Sequence, residues 1–405
     1  MAIIVQKYGG TSVADIERIR RVAERVGRTR AECDGVVVVV SAMGDTTDEL
    51  IALAHQLSDD PPLREMDMLL STGETITAPL LAMALEAAGT TAVSLTGLQA
   101  GIRTSGSHRK ARIVDIAPTR IAAALEQGRV AVIAGFQGVT EEFDITTLGR
   151  GGSDTSAVAL AVALRADHCE IYTDVRGVFT ADPRLVPTAR HIPEISYEEM
   201  LEFAAVGAKV MHPRAVEIGE AYDMPIWVRS AFEDSPGTII CRHPTLEDRQ
   251  KVRGIAHEID VAKITLLHVP DRPGVAAAIF GPLADHHINV DVILQNVGHD
   301  GSTDLSFTLA ESDLMQARPL VALIAAGIGA NGYEATADIA KVSVVGTGML
   351  NTPGIAATMF KTLAEADINI LLISTSEIRI TCIIDRGKVR DAVRALHRAY
   401  QLDEL

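Results

Sequence analysis

Four stretches of the sequence set a charged side chain among glycines, where it could meet an anion. In VQKYGGTS, Lys7 precedes Gly9 and Gly10 at the expected end of a strand. Glycine lacks the Cβ that would hold phosphate oxygens off the backbone. A strand end followed by a helix start also aims N–H groups and the helix dipole at an anion. A lysine there can reach β- and γ-phosphates as a point charge; the plain alternative is a surface lysine beside a tight turn. In TTLGRGGSDTSAVALAVAL, Arg150 lies among glycines and could clamp a carboxylate. Ser153 or Asp154 falls near the cap of the helix that follows. Asp154 reads either as that cap, worth about 1 kcal/mol, or as a carboxylate that orients nearby lysines. YTDVRGVFTADPRLVP carries Asp174, Asp182 and Arg184 on a loop after a strand. Such loops form nucleotide sites in α/β sheets, although a solvated connection has the same composition. GAKVMHPRA adds Lys209 before a further helix, by itself an ordinary surface lysine.

The elements that must position these residues alternate. AIIVQKY, GVVVVVSAM, TAVSL, RVAVIAGF and HCEIYTDV read as strands. Helical periodicity separates them: VADIERIRRVAERV sets Val13, Ile16, Ile19, Val22 and Val26 on one face, with Thr11 or Ser12 as its cap. DELIALAHQL, TRIAAALEQG and TSAVALAVALRA are further helices, and MDMLLSTGETITAPLLAMALEAAG is a long one with a bend expected near Gly73. Near-continuous apolar strands alternating with helices predict a mostly parallel sheet sandwiched by helices. After a charged linker over 244–260, the chain repeats itself. RPGVAAAIFGPLADHHINVDVI aligns with TPGIAATMFKTLAEADINILLI at an offset of 80 residues, sharing Pro273/Pro353, Gly274/Gly354, Phe280/Phe360, Leu283/Leu363, Ile288/Ile368 and Asn289/Asn369. Two copies predict paired α+β modules over 261–337 and 338–405, following a first domain over 1–243.

Bulk properties narrow the partners. At 405 residues the chain accommodates two or three domains. A formal charge of −16 disfavours nucleic acid or an anionic membrane as partner, so an anionic substrate needs cations gathered locally. The longest apolar run, VVVVVSAM at 36–43, reads as a buried strand, and no stretch is expected to span a bilayer. Cys33, Cys169, Cys241 and Cys382 lie far apart with no CxxC spacing, which fits a reducing cytoplasm. No clustered metal ligands are evident. GxxxxGK[ST] and an HRD…DFG pair are both absent. VSVVGTGMLN imitates a dinucleotide fingerprint, but Asn351 replaces its third glycine, and the stretch belongs to the repeat.

Taken in order, KYGGTSV, VVVVSAMGDTTDEL, LLSTGE, TTLGRGGSDTSA, YTDVRGVFTADPR and GAKVMHPRA resemble the aspartate kinase (aspartokinase) family of the amino-acid-kinase superfamily. The doubled Pro-Gly modules resemble its two C-terminal ferredoxin-like ACT domains, and LISTSEIRI is similar to its closing strand. The resemblance implies ATP-dependent phosphorylation of the L-aspartate side-chain carboxylate to 4-phospho-L-aspartate, the entry to lysine, threonine, methionine and diaminopimelate synthesis. It implies that Lys7 stabilises the transferring phosphoryl group, with Tyr8, Gly9 and Gly10 beside the phosphates and Lys209 opposite. Asp154 would orient the lysines. Glu74 would take the α-ammonium of aspartate and Arg150 its α-carboxylate, with Thr47 and Ser153 nearby. Ser41, Thr173, Asp174, Phe179, Asp182 and Arg184 would line the nucleotide pocket, with magnesium arriving on the ATP. Phe179 stands where many relatives carry tyrosine.

The same resemblance implies lysine or threonine, or both, as feedback effectors. Asp271, Gly274, Ala276, Asn289, Val290, Asp291 and Gln295 of the first module, with Asn369, Ile370 and Ser376 of the second, are the candidate effector residues. A homodimer through the ACT modules, or a heterotetramer with an internally initiated regulatory subunit, follows as the expected assembly. The rivals are a related kinase acting on glutamate, acetylglutamate or a nucleoside monophosphate, and a non-catalytic amino-acid sensor. A fused homoserine dehydrogenase is not expected, because no such length follows the second module.

Overall fold

The computed structural model describes residues 2–207, 210–242, 251–296, 301–349 and 352–403. The chain divides into two units. The first holds an eight-stranded sheet in the order Glu194–Ser196, Thr238–Cys241, Ile226–Ser230, His168–Thr173, Ile3–Tyr8, Gly35–Val40, Val130–Ala134, Ala92–Leu95. Every pairing is parallel except Ile226–Ser230 with Thr238–Cys241. Val36 to Val40 are wholly buried, as a central parallel strand covered on both faces requires.

Register places the chemistry. Tyr8 is aligned with Val40 on one neighbour and with Tyr172 on the other. The turns that follow these three strands, KYGG, VSAMGD and YTDV, therefore leave the sheet side by side at its carboxyl edge, where α/β sheets bind ligands.

The Leu63–Ala87 helix runs unbroken through Gly73. A Cβ on Gly73 would lie 2.7 Å from that of Ala42, so the glycine permits close approach of helix to turn. This helix is also long and apolar enough to cross a bilayer, contrary to the sequence expectation. It is nonetheless a core helix, with Leu70, Leu81 and Leu85 buried and two carboxylates, Asp67 and Glu74, on its buried side. A small sheet, ordered Ile113–Ile116, Ile102–Thr104, Gln137–Val139, Ile145–Thr147, completes the described strands of this unit. Its three- and four-residue strands left no periodic signal.

The second unit carries two four-stranded sheets. One is ordered Ile293–Gln295, Ser302–Leu309, Ala262–Pro270, Gly332–Thr336, and packs a core with the Val275–Asp285 and Leu314–Ile328 helices. The other is ordered Gly254–Glu258, Ile339–Val345, Arg379–Asp385, Leu372–Thr375. Gly254–Glu258 falls within the stretch expected as linker. It is instead an antiparallel strand whose Ile255 and Ala256 are buried, so the first module is inserted after the second sheet's opening strand. Lys341 fastens the two modules, its Nζ 3.0 Å from Glu258 and 2.5 Å from Asp291.

Thr180–Arg190 also belongs to the second unit. Ala181 and Val186 enter its core, and Ile255 N–H donates to the Thr180 carbonyl at 2.7 Å. Thr180 Oγ1 lies 2.9 Å from Nε2 of the buried His397.

Candidate active site

Lys7 and Asp154 meet as the sequence order cannot reveal. Their Nζ and Oδ1 lie 2.6 Å apart, each side chain 12% exposed. The contact is a close ion pair. Asp154 is not the helix cap: the Gly152–Leu164 helix starts from Gly151 in the left-handed region (φ 68°), and Ser153 and Asp154 lie in its first turn with no side-chain cap bond. Likewise neither Thr11 nor Ser12 caps the first long helix. Gly10–Val13 form a 3-10 turn, and Asp15 accepts from Arg18 N–H at the start of Ile16–Glu32. The glycine turn sits directly against the lysine, a Cβ on Gly9 lying 3.3 Å from Lys7 Nζ. A Cβ on Gly10 would lie 2.9 Å from the Ala42 carbonyl oxygen, so the two turns are in contact. Tyr8 is wholly buried, stacked on Tyr172 at 4.7 Å between ring centroids; its ring is core, and only its backbone faces the turn.

Glu74 supplies the second half of the site. It is 3% exposed, and one carboxylate oxygen accepts the Ala42 N–H at 3.0 Å. The other, Oε2, is buried with no partner among the described residues. Burial pushes its pKa up to about 7, only partly offset by backbone hydrogen bonds. A buried carboxylate with an unused oxygen is a receptor for a cation, since leaving it unpaired costs about 1–3 kcal/mol or more. A primary ammonium fits this donor deficit.

Arg150 is exposed and makes no ion pair among the described residues, so its guanidinium is available to a carboxylate. Its turn is held by residues that sequence reasoning passed over. A Cβ on Gly151 would run into His212, at 2.2 Å from the ring. Arg214 donates to the carbonyls of Leu148 at 2.7 Å and Ala111 at 3.0 Å. The signal for His212 was present as His-Pro before a helix: it caps Pro213–Tyr222 by accepting from Arg214 N–H, and burial lowers its pKa. Lys209 lies outside the described residues.

Ser41 N–H donates to the Tyr8 carbonyl at 3.1 Å, which ties the second turn to the first. Thr47 stands in the first turn of the Thr46–Leu57 helix. Thr173 Oγ1 donates to its neighbour Asp174 at 3.1 Å, and the Phe179 ring meets His191 edge to face. Asp182 and Arg184 lie in the segment that folds with the second unit. There they pair with each other at 2.8 Å, and Arg184 holds the Asp182 carboxyl below its usual range. Among the described residues no group of three His, Cys, Asp or Glu side chains could hold a metal ion.

In the second unit, Gly274 and Gly354 occupy equivalent positions. Each is a left-handed N-cap, at φ 92° and 100°, of the helix that follows the Pro-Gly turn. Asp271, Ala276, Asn289, Gln295, Asn369 and Ser376 are exposed, while Val290 and Ile370 are half-buried. Asp291 is engaged by Lys341.

Comparison with known proteins identifies the family. The amino acid kinase family profile matches residues 2–230, and ACT domain profiles match 263–325 and 342–400. The chain is 52% identical to the aspartokinase of Mycolicibacterium smegmatis, over 99% of this chain and 97% of that one. It is also 52% identical to the aspartokinase of Geobacillus stearothermophilus, over 100% and 98%. The structure of E. coli aspartokinase III in complex with aspartate and ADP superposes with a TM-score of 0.82 at 26% identity, covering 98% of this chain and 99% of that one. The same enzyme in complex with lysine and aspartate gives a TM-score of 0.75. By these matches over nearly its whole length, this chain belongs to the aspartokinases of the amino acid kinase family.

Proposed function

We infer that the protein transfers the γ-phosphoryl group of ATP to the side-chain carboxylate of L-aspartate, forming 4-phospho-L-aspartate and ADP. The observation that carries this reading is the unpartnered oxygen of Glu74. The turn that hydrogen-bonds to Glu74 through Ala42 N–H also abuts the Gly10 turn through the Ala42 carbonyl. An ammonium receptor and a phosphate corner thus share one backbone turn, which suits a free amino acid as phosphoryl acceptor.

The chemistry follows from charge. A carboxylate attacking a triphosphate meets like-charge repulsion, and the acceptor is already ionised at neutral pH, so no general base is needed. Catalysis is positioning and charge stabilisation. Lys7 is held by Asp154 at rest and carries the charge that the transferring group develops. Gly9 and Gly10 leave room for phosphate oxygens. Glu74 holds the α-ammonium and Arg150 the α-carboxylate, which aims the remaining carboxylate at the phosphorus. Lys209 is assigned a phosphate contact by its motif. Magnesium, carried on the nucleotide, adds charge neutralisation.

The cytoplasm is the compartment this reading assigns, and among the described residues Cys33, Cys169 and Cys382 form no disulfide. Feedback inhibition by lysine or threonine through the ACT modules is part of the same reading. Homodimerisation is supported by Ile293–Gln295 and Leu372–Thr375, which end their sheets with Ile293 51% and Ile373 42% exposed. An unpaired apolar edge favours pairing with another chain. An internally initiated regulatory subunit is the alternative assembly. The test is an ATP-dependent hydroxamate assay across aspartate, glutamate and acetylglutamate, with and without lysine and threonine, and an ADP-release assay for a nucleoside monophosphate, whose product forms no hydroxamate. Aspartyl hydroxamate alone, reduced by either effector, is the expected result. A product from another acceptor, or none, overturns the reading.

A further inference from the structure

We propose that Asp67 is a positioning residue for the amino-acid end of the site, an inference that rests on the substrate reading above. Asp67 lies two turns before Glu74 on the Leu63–Ala87 helix, so the two carboxylates share a helix face about 10 Å apart along its axis. It is wholly buried. Its carboxylate collects donors from two segments distant in sequence. Oδ1 accepts Thr147 Oγ1–H at 2.5 Å, both oxygens accept the Arg109 N–H at 3.1 Å, and Oδ2 lies 2.8 Å from His108 Nδ1. With Asp67 ionised, the His108 contact requires Nδ1 to carry its proton, which fixes the ring's tautomer or charge.

These partners are the supports of Arg150. Thr147 ends the Ile145–Thr147 strand three residues before it. The 108–111 loop clasps the same segment, because Ala111 N–H donates to the Thr147 carbonyl at 3.0 Å. The Arg109 carbonyl oxygen also sits where a Cβ on Gly149 would lie 2.7 Å away. One buried charge therefore fixes the strand that delivers the carboxylate clamp against the helix that carries the ammonium receptor. Aspartate is gripped at both ends, so the distance between Glu74 and Arg150 sets how well it fits, and supporting side chains of this kind decide such distances. The nucleotide corner at Lys7, Gly9 and Gly10 makes none of these contacts.

A purely structural carboxylate would change stability and leave the two substrates affected alike. The test is steady-state kinetics of Asp67→Asn, Thr147→Val and Thr147→Ser, each compared with the wild type for aspartate and for ATP. Asp67→Asn is expected to raise the aspartate KM at least tenfold and Thr147→Val about threefold, with the ATP KM within twofold of wild type. Thr147→Ser keeps the hydroxyl and restores the wild-type aspartate KM. Should Asp67→Asn fail to fold, the Thr147 pair carries the test. Equal rises in both KM values, or an unchanged aspartate KM with only a lower unfolding midpoint, overturns the proposal. Turnover of aspartate by the wild type reports separately on the substrate reading.

Discussion

The half-buried Lys7 and the buried Glu74 are two ionisable side chains beside one pair of touching turns, but they stand in opposite electrostatic states. Lys7 has its counter-charge in place, at 2.6 Å from Asp154. Glu74 has one backbone donor and an oxygen facing nothing. On the proposed reading the first is neutralised until phosphate arrives, and the second keeps an acceptor oxygen for a substrate ammonium. A site that is to bind two anions and one cation on the same few residues, as proposed, needs both conditions, because a fully paired site would have nothing left to offer the ammonium.

The comparison breaks most visibly at Lys7. Lys7→Met removes the cation from the phosphoryl path and is expected to lower kcat about 10²- to 10³-fold, the usual effect of deleting one preorganised electrostatic stabiliser. The hydroxamate assay reads it.

Glu74→Gln comes next, with an expected rise of about 10²-fold in the aspartate KM. It also carries a stability signature of defined sign. The folded-state pKa of Glu74 is raised from 4.5 to about 7, so the folded protein holds a proton that the unfolded chain has released between those values. Stability is therefore fully retained below about pH 4.5 and falls as pH rises through about 7. The loss corresponds to at most about 3 kcal/mol. Without aspartate, Glu74→Gln should lose less stability than the wild type between pH 5 and pH 8, measured by urea unfolding.

Gly73→Ala sharpens the geometric side. In an exposed helix this change stabilises, but here the new methyl meets Ala42 at 2.7 Å and must push the turn away from Glu74. A loss of about 1–3 kcal/mol is expected from such overpacking, with a several-fold rise in the aspartate KM. Arg184→Ala marks the small end. Its pair with Asp182 resembles Lys7–Asp154 in distance, yet Arg184 is 88% exposed, so its removal should cost under about 1 kcal/mol in a denaturant titration.

Much of this architecture could be read from the chain. The wholly buried Val36–Val40 strand announced itself as an apolar run, and the glycines beside Lys7 marked a turn that the parallel register brings to the sheet's carboxyl edge. Other features had no local signature. Asp67 reads as a surface acid in MDMLLS, because its partners His108 and Thr147 are 41 and 80 residues away. Gly254–Glu258 follows a charged stretch that looks like linker, and only its pairing with Lys341–Val345 makes it a strand. In sequence, Thr180–Arg190 continues the loop of Thr173 and Asp174, but Ala181 and Val186 are core residues of the second unit. Periodicity reports the face an element buries. It does not report which distant segment supplies the other face.

The most direct test of the central claim is calorimetry of aspartate binding in buffers of different ionisation heat. If the free oxygen of Glu74 receives the α-ammonium, binding at pH 7 must expel the proton that burial retains, releasing roughly half a proton per site. Glu74→Gln should bind far more weakly and release none. Binding of equal strength in both proteins, with no proton released by the wild type, would contradict the account.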